Sequence, residues 1–394
     1  MKFIDLFAGI GGFRRGMELA GHECVGFCEF DKYAVASYTA MHLLTDEQLE
    51  RINNIPVQLK KNGDPNLRLR QNEIWKGEYK NGEWYANDIR SVDAGSMPYA
   101  DCWCFGAPCQ DFSIAGNRKG LRGDKSALVR EVFKLLDQTK KENRPEWIIY
   151  ENVKGMLSSN RGFDYLEIIL AMDKLGYDCQ WQVFNSKDWG VPQNRERVYT
   201  IGHLRDRGTR KILPICDSGE IYNGSGTNKR EGKVMQIGNC MPTASRDNPN
   251  QGRIYDPRGI APCLNKMDGG GRVPLISKPF TLTSRQAEIN SKSHVSSMAI
   301  PVITPNRINK RQNGRRFKND GDPMFTLTAQ DRHGVMTDQM SIRQLTPKEC
   351  FRLQGWTDDY FERAALVNSD SQLYRQAGNQ VTVNVVYQIA KRIN

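Results

Sequence analysis

Two rhythms of apolar and polar positions run through the first half of this chain. Short, nearly continuous apolar runs at Phe3–Phe7, Cys24–Cys28, Asp101–Phe105, Trp147–Tyr150, Gln180–Asn185 and Val198–Gly202 predict strands. Between them, Gly12–Leu19, Ala127–Asn143 and Phe163–Leu175 read as helices. Strands alternating with helices in this way predict an α/β fold, a mostly parallel sheet covered on both faces.

The rhythm breaks between Thr45 and Asn87, which reads as an insertion, 45–86. Inside it, Trp75-Lys76-Gly77-Glu78-Tyr79-Lys80-Asn81-Gly82-Glu83-Trp84-Tyr85 predicts a β-hairpin, because Asn-Gly favours the two-residue type I′ turn. Its aromatics are read as stapling that hairpin in preference to stacking on bases. After Gly202 the chain turns basic and glycine-rich to about Met340. Scattered apolar positions there (Ile254, Tyr255, Leu264, Val273, Leu275, Phe280, Leu282) argue for a small folded unit and against a disordered linker. A faint echo joins 261–264, 279–283 and 323–328, each resembling a short strand after a turn. Order returns at Ser341. Thr346-Pro347-Lys348-Glu349 has the form of a capping box with proline in the first turn. A last helix, about 381–393, follows Gly378-Asn379-Gln380, a turn that would let the chain end pack back on the first domain.

Composition narrows the class. The 394 residues carry 56 Lys and Arg against 45 Asp and Glu, a formal charge of +11, which favours a polyanionic partner. The concentration of Arg, Lys, Asn, Gly and Ser between Arg205 and Arg316 suits a loop-rich surface that reads phosphates and base edges. No apolar run approaches the ~20 residues of a membrane span. The start, Met1-Lys2-Phe3-Ile4-Asp5, enters a strand without a signal-peptide layout. Ten cysteines without regular spacing read as reduced thiols and not as a disulfide framework. Cys102, Cys104 and Cys109 are close in sequence, but no paired Cys-x-x-Cys or histidine follows at zinc spacing, so no metal is expected.

The chemistry concentrates at predicted strand ends. Phe3–Phe7 breaks into Ala8-Gly9-Ile10-Gly11-Gly12, a glycine-rich turn that lets backbone approach a nucleotide-like ligand at a helix start. Glu29 closes the second strand, placed for ribose hydroxyls, and Asp88-Ile89 follows the insertion, placed for the amino edge and face of an adenine. Together the three point to an adenosine ligand. The strand 102–105 delivers Gly106-Ala107-Pro108-Cys109-Gln110, where proline fixes the backbone before a thiol. A glycine- and arginine-rich stretch, 116–123, reads as a mobile loop. The strand 147–150 delivers Glu151-Asn152-Val153 to the same edge. A held thiol beside a carboxylic acid is what covalent addition to an electron-poor ring requires. Gln193-Asn194-Arg195-Glu196-Arg197 adds two arginines on one side of a strand; one could meet a buried carboxylate, the other a carbonyl oxygen. For Arg195 an ion pair and a substrate contact stand equal.

In order, these segments resemble the DNA (cytosine-5)-methyltransferase family. Phe3–Gly12 looks like its cofactor motif, Gly106–Gln110 with Asp111-Phe112-Ser113 like its Pro-Cys-Gln loop, Glu151–Val153 like its Glu-Asn-Val motif and Gln193–Arg197 like its Gln-x-Arg-x-Arg segment. Arg343–Trp356 and Gly378-Asn379-Gln380-Val381 match its two C-terminal motifs. The match covers roughly 1–204 and 341–394; the insertion departs from the most compact members. The resemblance implies a Rossmann-like catalytic domain (1–204 and 368–394), a target recognition domain (205–340) and a hinge or motif segment (341–367). It implies S-adenosylmethionine, yielding S-adenosylhomocysteine, held by Phe7, Ala8, Gly9, Gly11, Gly12, Glu29, Phe30, Asp88, Ile89, Pro108, Asn379 and Val381. Cys109 would add to C6 of a flipped-out cytosine while Glu151 assists at N3, with Arg197 at O2, the Pro108 carbonyl at the exocyclic amine and Arg195 nearby. Gln110, Ser113, Arg118, Lys119 and Arg122 would contact double-stranded DNA. It further implies a cytoplasmic, prokaryotic or phage-encoded monomer, with a separately encoded restriction endonuclease left open. Two rival readings are an RNA (tRNA) cytosine-5 methyltransferase and a non-catalytic DNA-binding scaffold. A nicotinamide oxidoreductase has no use for Cys109 beside Glu151.

Overall fold

A central sheet gathers the apolar runs. The computed structural model describes residues 1–60, 65–107, 128–208, 210–215, 236–239, 253–255, 275–276, 299–303, 316–319, 321–328, 333–337 and 342–393. In chain order come β1 (Lys2–Leu6), α1 (Gly12–Leu19), β2 (Glu23–Cys28), α2 (Lys32–Tyr38), α3 (Asp46–Asn53), the short β3 (Gln58–Leu59) and β4 (Pro65–Asn66), α4 (Arg68–Ile74) and β5 (Trp84–Ala86). Then follow β6 (Cys102–Phe105), α5 (Leu128–Gln138), β7 (Trp147–Val153), α6 (Phe163–Lys174), β8 (Tyr177–Asn185) and β9 (Glu196–Leu204). The sheet order is β5-β2-β1-β6-β7-β9-β8, all parallel except β9, which runs against both neighbours.

Strict alternation along the central strands builds two cores. Ile4, Leu6, Trp103, Phe105, Ile148 and Tyr150 face α5 and α6, meeting Val132, Phe133, Leu136, Ile168 and Met172. The intervening Phe3, Cys102, Cys104, Trp147 and Ile149 meet Phe13 and Met17 of α1 and Val385, Val386 and Ile389 of α10 (Val383–Ala390). Burial on both faces is what the unbroken apolar runs require. The last helix is shorter than the predicted 381–393, and it does pack back on the first domain through α1.

Residues 75–85 do not form the predicted hairpin. Residues 68–74 form α4, Gly77–Lys80 form a 3₁₀ turn, and Asn81 and Gly82 take φ of +50° and +80°. Both are left-handed, as a type I′ turn demands. However, β5 then pairs in parallel with β2 instead of folding back on 75–80. Packing decides this: Ile74 and Tyr79 are buried with Ala36, Ala40, Leu44, Ile52 and Val367, which a two-stranded ribbon would leave exposed.

The chain divides into two compact units, 1–221 with 326–330 and 346–394, and 222–325 with 331–345. The first takes in the capping-box helix α7 (Pro347–Arg352), α8 (Asp358–Ala365) and α9 (Asp370–Asn379), so residues 346–367 fall within it. At α7, Thr346 and Glu349 make both capping-box bonds. The second unit carries β10 (Gln236–Asn239), β11 (Arg253–Tyr255) and β12 (Leu275–Ile276) in one small sheet, and β13 (Ala299–Ile303), β14 (His333–Thr337) and β15 (Ile342–Gln344) in another, antiparallel throughout. Val302, Met324, Val335 and Leu345 are buried there. The predicted echo segments at 261–264 and 279–283 lie outside the described residues.

Candidate active site

The sheet has one topological switch. From β1 the chain first builds β2 and β5 on one side, then crosses to β6 and β7 on the other. The crevice outside the carboxyl ends of β1 and β6 is where such sheets take ligands. Strand ends β1, β2, β5, β6 and β7 all face this edge. Because β9 is antiparallel, its first residues arrive there too; Arg197 pairs in register with Val153.

At β1 the exit is held in an uncommon conformation. Phe7 has φ +54°, rare for an aromatic, and Gly9 and Gly11 follow at +58° and +87°. The Ala8 N–H donates to the Cys28 carbonyl at 3.0 Å. The Gly9 N–H donates to Glu29 Oε2 at 2.8 Å, and the Gly12 N–H to Gln380 Oε1 at 2.9 Å. A Cβ on Gly12 would stand 2.6 Å from that oxygen and 2.9 Å from the Val381 carbonyl, so only glycine admits the C-terminal segment so closely. Asn379 is exposed and Val381 buried beside it.

Glu29 accepts a second main-chain N–H, from Asp31 at 2.7 Å. Burial pushes its carboxyl up, and main-chain N–H donors oppose the shift without cancelling it. Next to it, Phe30 is 67% exposed, an aromatic face with nothing packed over most of it. Ile89 is buried. Asp88 is engaged by Arg90, whose Nη2 lies 2.6 Å from its Oδ2 and whose hydrogen bond holds the carboxyl below its usual range.

On the other side of the switch, Glu151 is buried near the end of β7. Its Oε1 lies 3.1 Å from Arg197 Nε, and its Oε2 would be 3.1 Å from a Cβ built on Gly106. Desolvation raises the carboxyl's pKa; Arg197 and then Arg195 lower it by a lesser amount. Asn152 locks the strand end, donating to the Tyr150 hydroxyl at 2.7 Å and to the Ala107 carbonyl at 3.5 Å, while accepting from the Val153 N–H at 2.8 Å. Arg195 donates to the main-chain carbonyls of Leu327, Gly378 and Gln380, so its guanidinium braces the C-terminal turn.

Thus Phe7–Gly12, Glu29, Asp88, Ile89, Glu151, Arg195, Arg197, Asn379 and Val381 stand at or beside one sheet edge. Pro108, Cys109, Gln110, Ser113, Arg118, Lys119, Arg122 and the 116–123 stretch lie outside the described residues. Sequence reasoning missed the polar struts underneath. Buried Gln193 donates to the Leu353 carbonyl at 2.8 Å and accepts from the Leu327 N–H at 3.0 Å. Buried Gln354 donates to the Ala377 carbonyl and accepts from Thr382, which also bonds Ser186. A glutamine set among apolar residues, as in Leu353-Gln354-Gly355-Trp356, was the available signal. Among the described residues no group of three or more His, Cys, Asp or Glu is placed to hold a metal ion, and no helix is long and apolar enough to cross a membrane.

A family model described as C-5 cytosine-specific DNA methylase matches residues 1–64 and 72–394. The orphan methyltransferase M.SPRI of Bacillus phage SPR is 30% identical, over 100% of this chain and 97% of its own length. The type II methyltransferase M.HhaI of Haemophilus parahaemolyticus is 26% identical, over 100% and 94%. Among solved structures, a putative DNA modification methyltransferase encoded within an E. coli prophage superposes with TM-score 0.52 at 16% identity, covering 100% of this chain and 98% of that one, a likeness of fold.

Proposed function

Since the chain belongs to the C-5 cytosine-specific DNA methylase family, we propose that it moves a methyl group from S-adenosylmethionine to C5 of a flipped-out cytosine in a specific short double-stranded DNA sequence. The observation that carries this reading is Glu151, a buried carboxyl at the switch-point edge, 3.1 Å from Arg197 and pushed up by burial. An acid whose protonated form is favoured by burial is what N3 of cytosine needs while C6 is attacked.

The residues present fit the cofactor. Glu29, Phe30 and the Phe7–Gly12 turn form a carboxylate, an aromatic face and a close-approaching backbone at one crevice, which suits ribose hydroxyls, an adenine ring and an aminoacyl tail. Ala8, Gly9, Gly11, Gly12, Asn379 and Val381 would line it, Asp88 and Ile89 would take the adenine, and the family resemblance adds Pro108 to this set. When bound, S-adenosylmethionine supplies an electrophilic methyl group.

C5 of cytosine is a weak nucleophile, so the ring is first made electron-rich. The Cys109 thiolate forms a bond to C6 while Glu151 gives its proton to N3, leaving an enamine whose C5 takes the methyl group. A base, water in the simplest case, then removes the C5 proton. The C6–S bond breaks, and the N3 proton returns to Glu151. A free thiol, with pKa about 8.5, is only a few per cent thiolate at neutral pH, so positive charge near Cys109 raises the reactive fraction. Arg197 orients both partners, holding Glu151 and directing the cytosine O2, and the Pro108 carbonyl takes the exocyclic amine. The base must leave the helix for this, at a cost of a few kcal/mol. Gln110, Ser113, Arg118, Lys119 and Arg122 hold the opened duplex, and the 205–340 region reads the target sequence.

The test is base-resolution sequencing of 5-methylcytosine in DNA from a host without its own cytosine methylation, expressing this chain or Cys109→Ser. Methylation confined to one short motif and absent in the variant is expected. Substantial turnover by Cys109→Ser would sink the mechanism; methyl transfer to RNA in place of DNA would overturn the substrate.

A further inference from the structure

The glycine turn is gripped at three nearly consecutive points, and the third has no assigned role. Glu29 takes the Gly9 N–H and Gln380 the Gly12 N–H; between them, His42 Nε2 lies 3.0 Å from the Ile10 carbonyl oxygen. We propose that His42 is a positioning residue for the cofactor turn, and that the 45–86 insertion serves to hold His42 there. The inference rests on reading that turn as the cofactor site.

A carbonyl can only accept, so His42 Nε2 carries the hydrogen and donates it. Burial, with Arg14, Arg15 and Arg363 nearby, keeps the imidazole well below its ordinary pKa, hence neutral. Ring and turn are matched in shape: a Cβ on Gly11 would stand 2.4 Å from Nε2. Tyr38, Tyr360 and Trp356 surround the ring with centroids 4.9, 5.3 and 5.8 Å away.

The backbone that carries His42 is unusual. After α2 the chain widens into a single π-helical turn, Thr39–Leu43, a rare form that is frequently found at functional sites. The insertion bonds both its ends. Buried Lys80 Nζ donates to Thr39 Oγ1 at 2.9 Å, and Asn81 Nδ2 donates to the Leu43 carbonyl. Below, Ile52, Ile74 and Tyr79 pack on Ala36, Ala40 and Leu44. Force therefore passes from the insertion to the π turn, from there to His42, and on to Ile10.

Calorimetric titration of the full-length protein with S-adenosylhomocysteine tests this, with thermal unfolding beside it. His42→Leu keeps bulk and loses the donor; its Kd should rise by about five- to tenfold, the worth of one buried hydrogen bond. His42→Gln, whose amide reaches as far, should recover most of the affinity, and Lys80→Met should show a smaller loss. A merely structural role would not separate Leu from Gln. If His42→Leu does not fold, His42→Gln near wild-type affinity with Lys80→Met weakened still supports the proposal. A folded Lys80→Met with wild-type affinity overturns the insertion's part. Folded His42→Leu binding like wild type, or His42→Gln as weak as His42→Leu, overturns the role of His42. Wild type that fails to bind S-adenosylhomocysteine would instead sink the cofactor reading.

Discussion

Two carboxylates stand near the carboxyl ends of two parallel strands of one sheet, and burial pushes both up, yet their surroundings part them. Glu29 is held by main-chain N–H groups of Gly9 and Asp31, which do not titrate. Glu151 faces the side chain of Arg197 at 3.1 Å and the space above Gly106. Backbone donors fix a carboxylate as an acceptor, useful for gripping hydroxyls. Arginine side chains in a dry setting oppose the burial shift without cancelling it, so the carboxyl holds its proton more tightly than a free one, useful for passing a proton. One edge of the sheet is thereby split into a binding half and a chemical half.

The split is tested hardest by Glu151→Gln. The amide keeps the shape but cannot release a proton, so methyl transfer should fall by about 10²–10⁴-fold, the span of general acid catalysis. Its Kd for S-adenosylhomocysteine should stay within about twofold. A comparable loss in both quantities would erase the distinction between the halves.

Glu29→Ala should show the reverse pattern. Losing the acceptor of the Gly9 N–H and of a ribose hydroxyl should weaken cofactor affinity by about 10- to 100-fold. The rate constant at saturating cofactor should change little. A rate loss that excess cofactor does not repair would place Glu29 in the chemistry.

Neither carboxylate should rival the struts beneath them for stability. Gln193→Leu leaves the Leu353 carbonyl and the Leu327 N–H buried without that partner. The expected loss is about 2–4 kcal/mol in urea unfolding, from two unsatisfied groups. A change under about 0.5 kcal/mol would mean that water takes the place of Gln193 at those groups in the variant.

Local and non-local determinants divide what could be read from the residues alone. Runs such as Trp147–Tyr150 and the box at Thr346–Glu349 carry their answer locally, in side-chain burial and in one capping geometry. The strand ends followed, because a parallel sheet brings Gly9, Glu29, Gly106 and Glu151 to one edge whatever the details. Asn81-Gly82 adopted the expected left-handed pair, but the neighbouring segment went into the core under Leu44, a choice made by distant apolar surface. Gln380 meeting Gly12 is equally non-local and carries no periodic signal. Asp5, fully buried within the apolar run of β1 and accepting from the Arg14 N–H at 3.2 Å, contradicts its pattern outright.

The smallest effect bears most directly on why Glu151 differs from Glu29. Desolvation lifts the Glu151 pKa more than Arg197 and Arg195 lower it, so the folded state binds this proton more tightly than the unfolded chain. Stability from such a group is present below the unfolded value, about 4.3, and is lost as pH rises through the folded value. Glu151→Gln has no proton to lose. In urea unfolding from pH 5 to 8, the variant should therefore gain on the wild type as pH rises. Glu29 shifts in the same direction, but both proteins contain it, so the difference between them isolates Glu151. The opposite slope, wild type gaining on the variant, would mean that the Arg197 pair outweighs burial. Glu151 would then be an anchored carboxylate, and the proton for N3 would have to come from elsewhere.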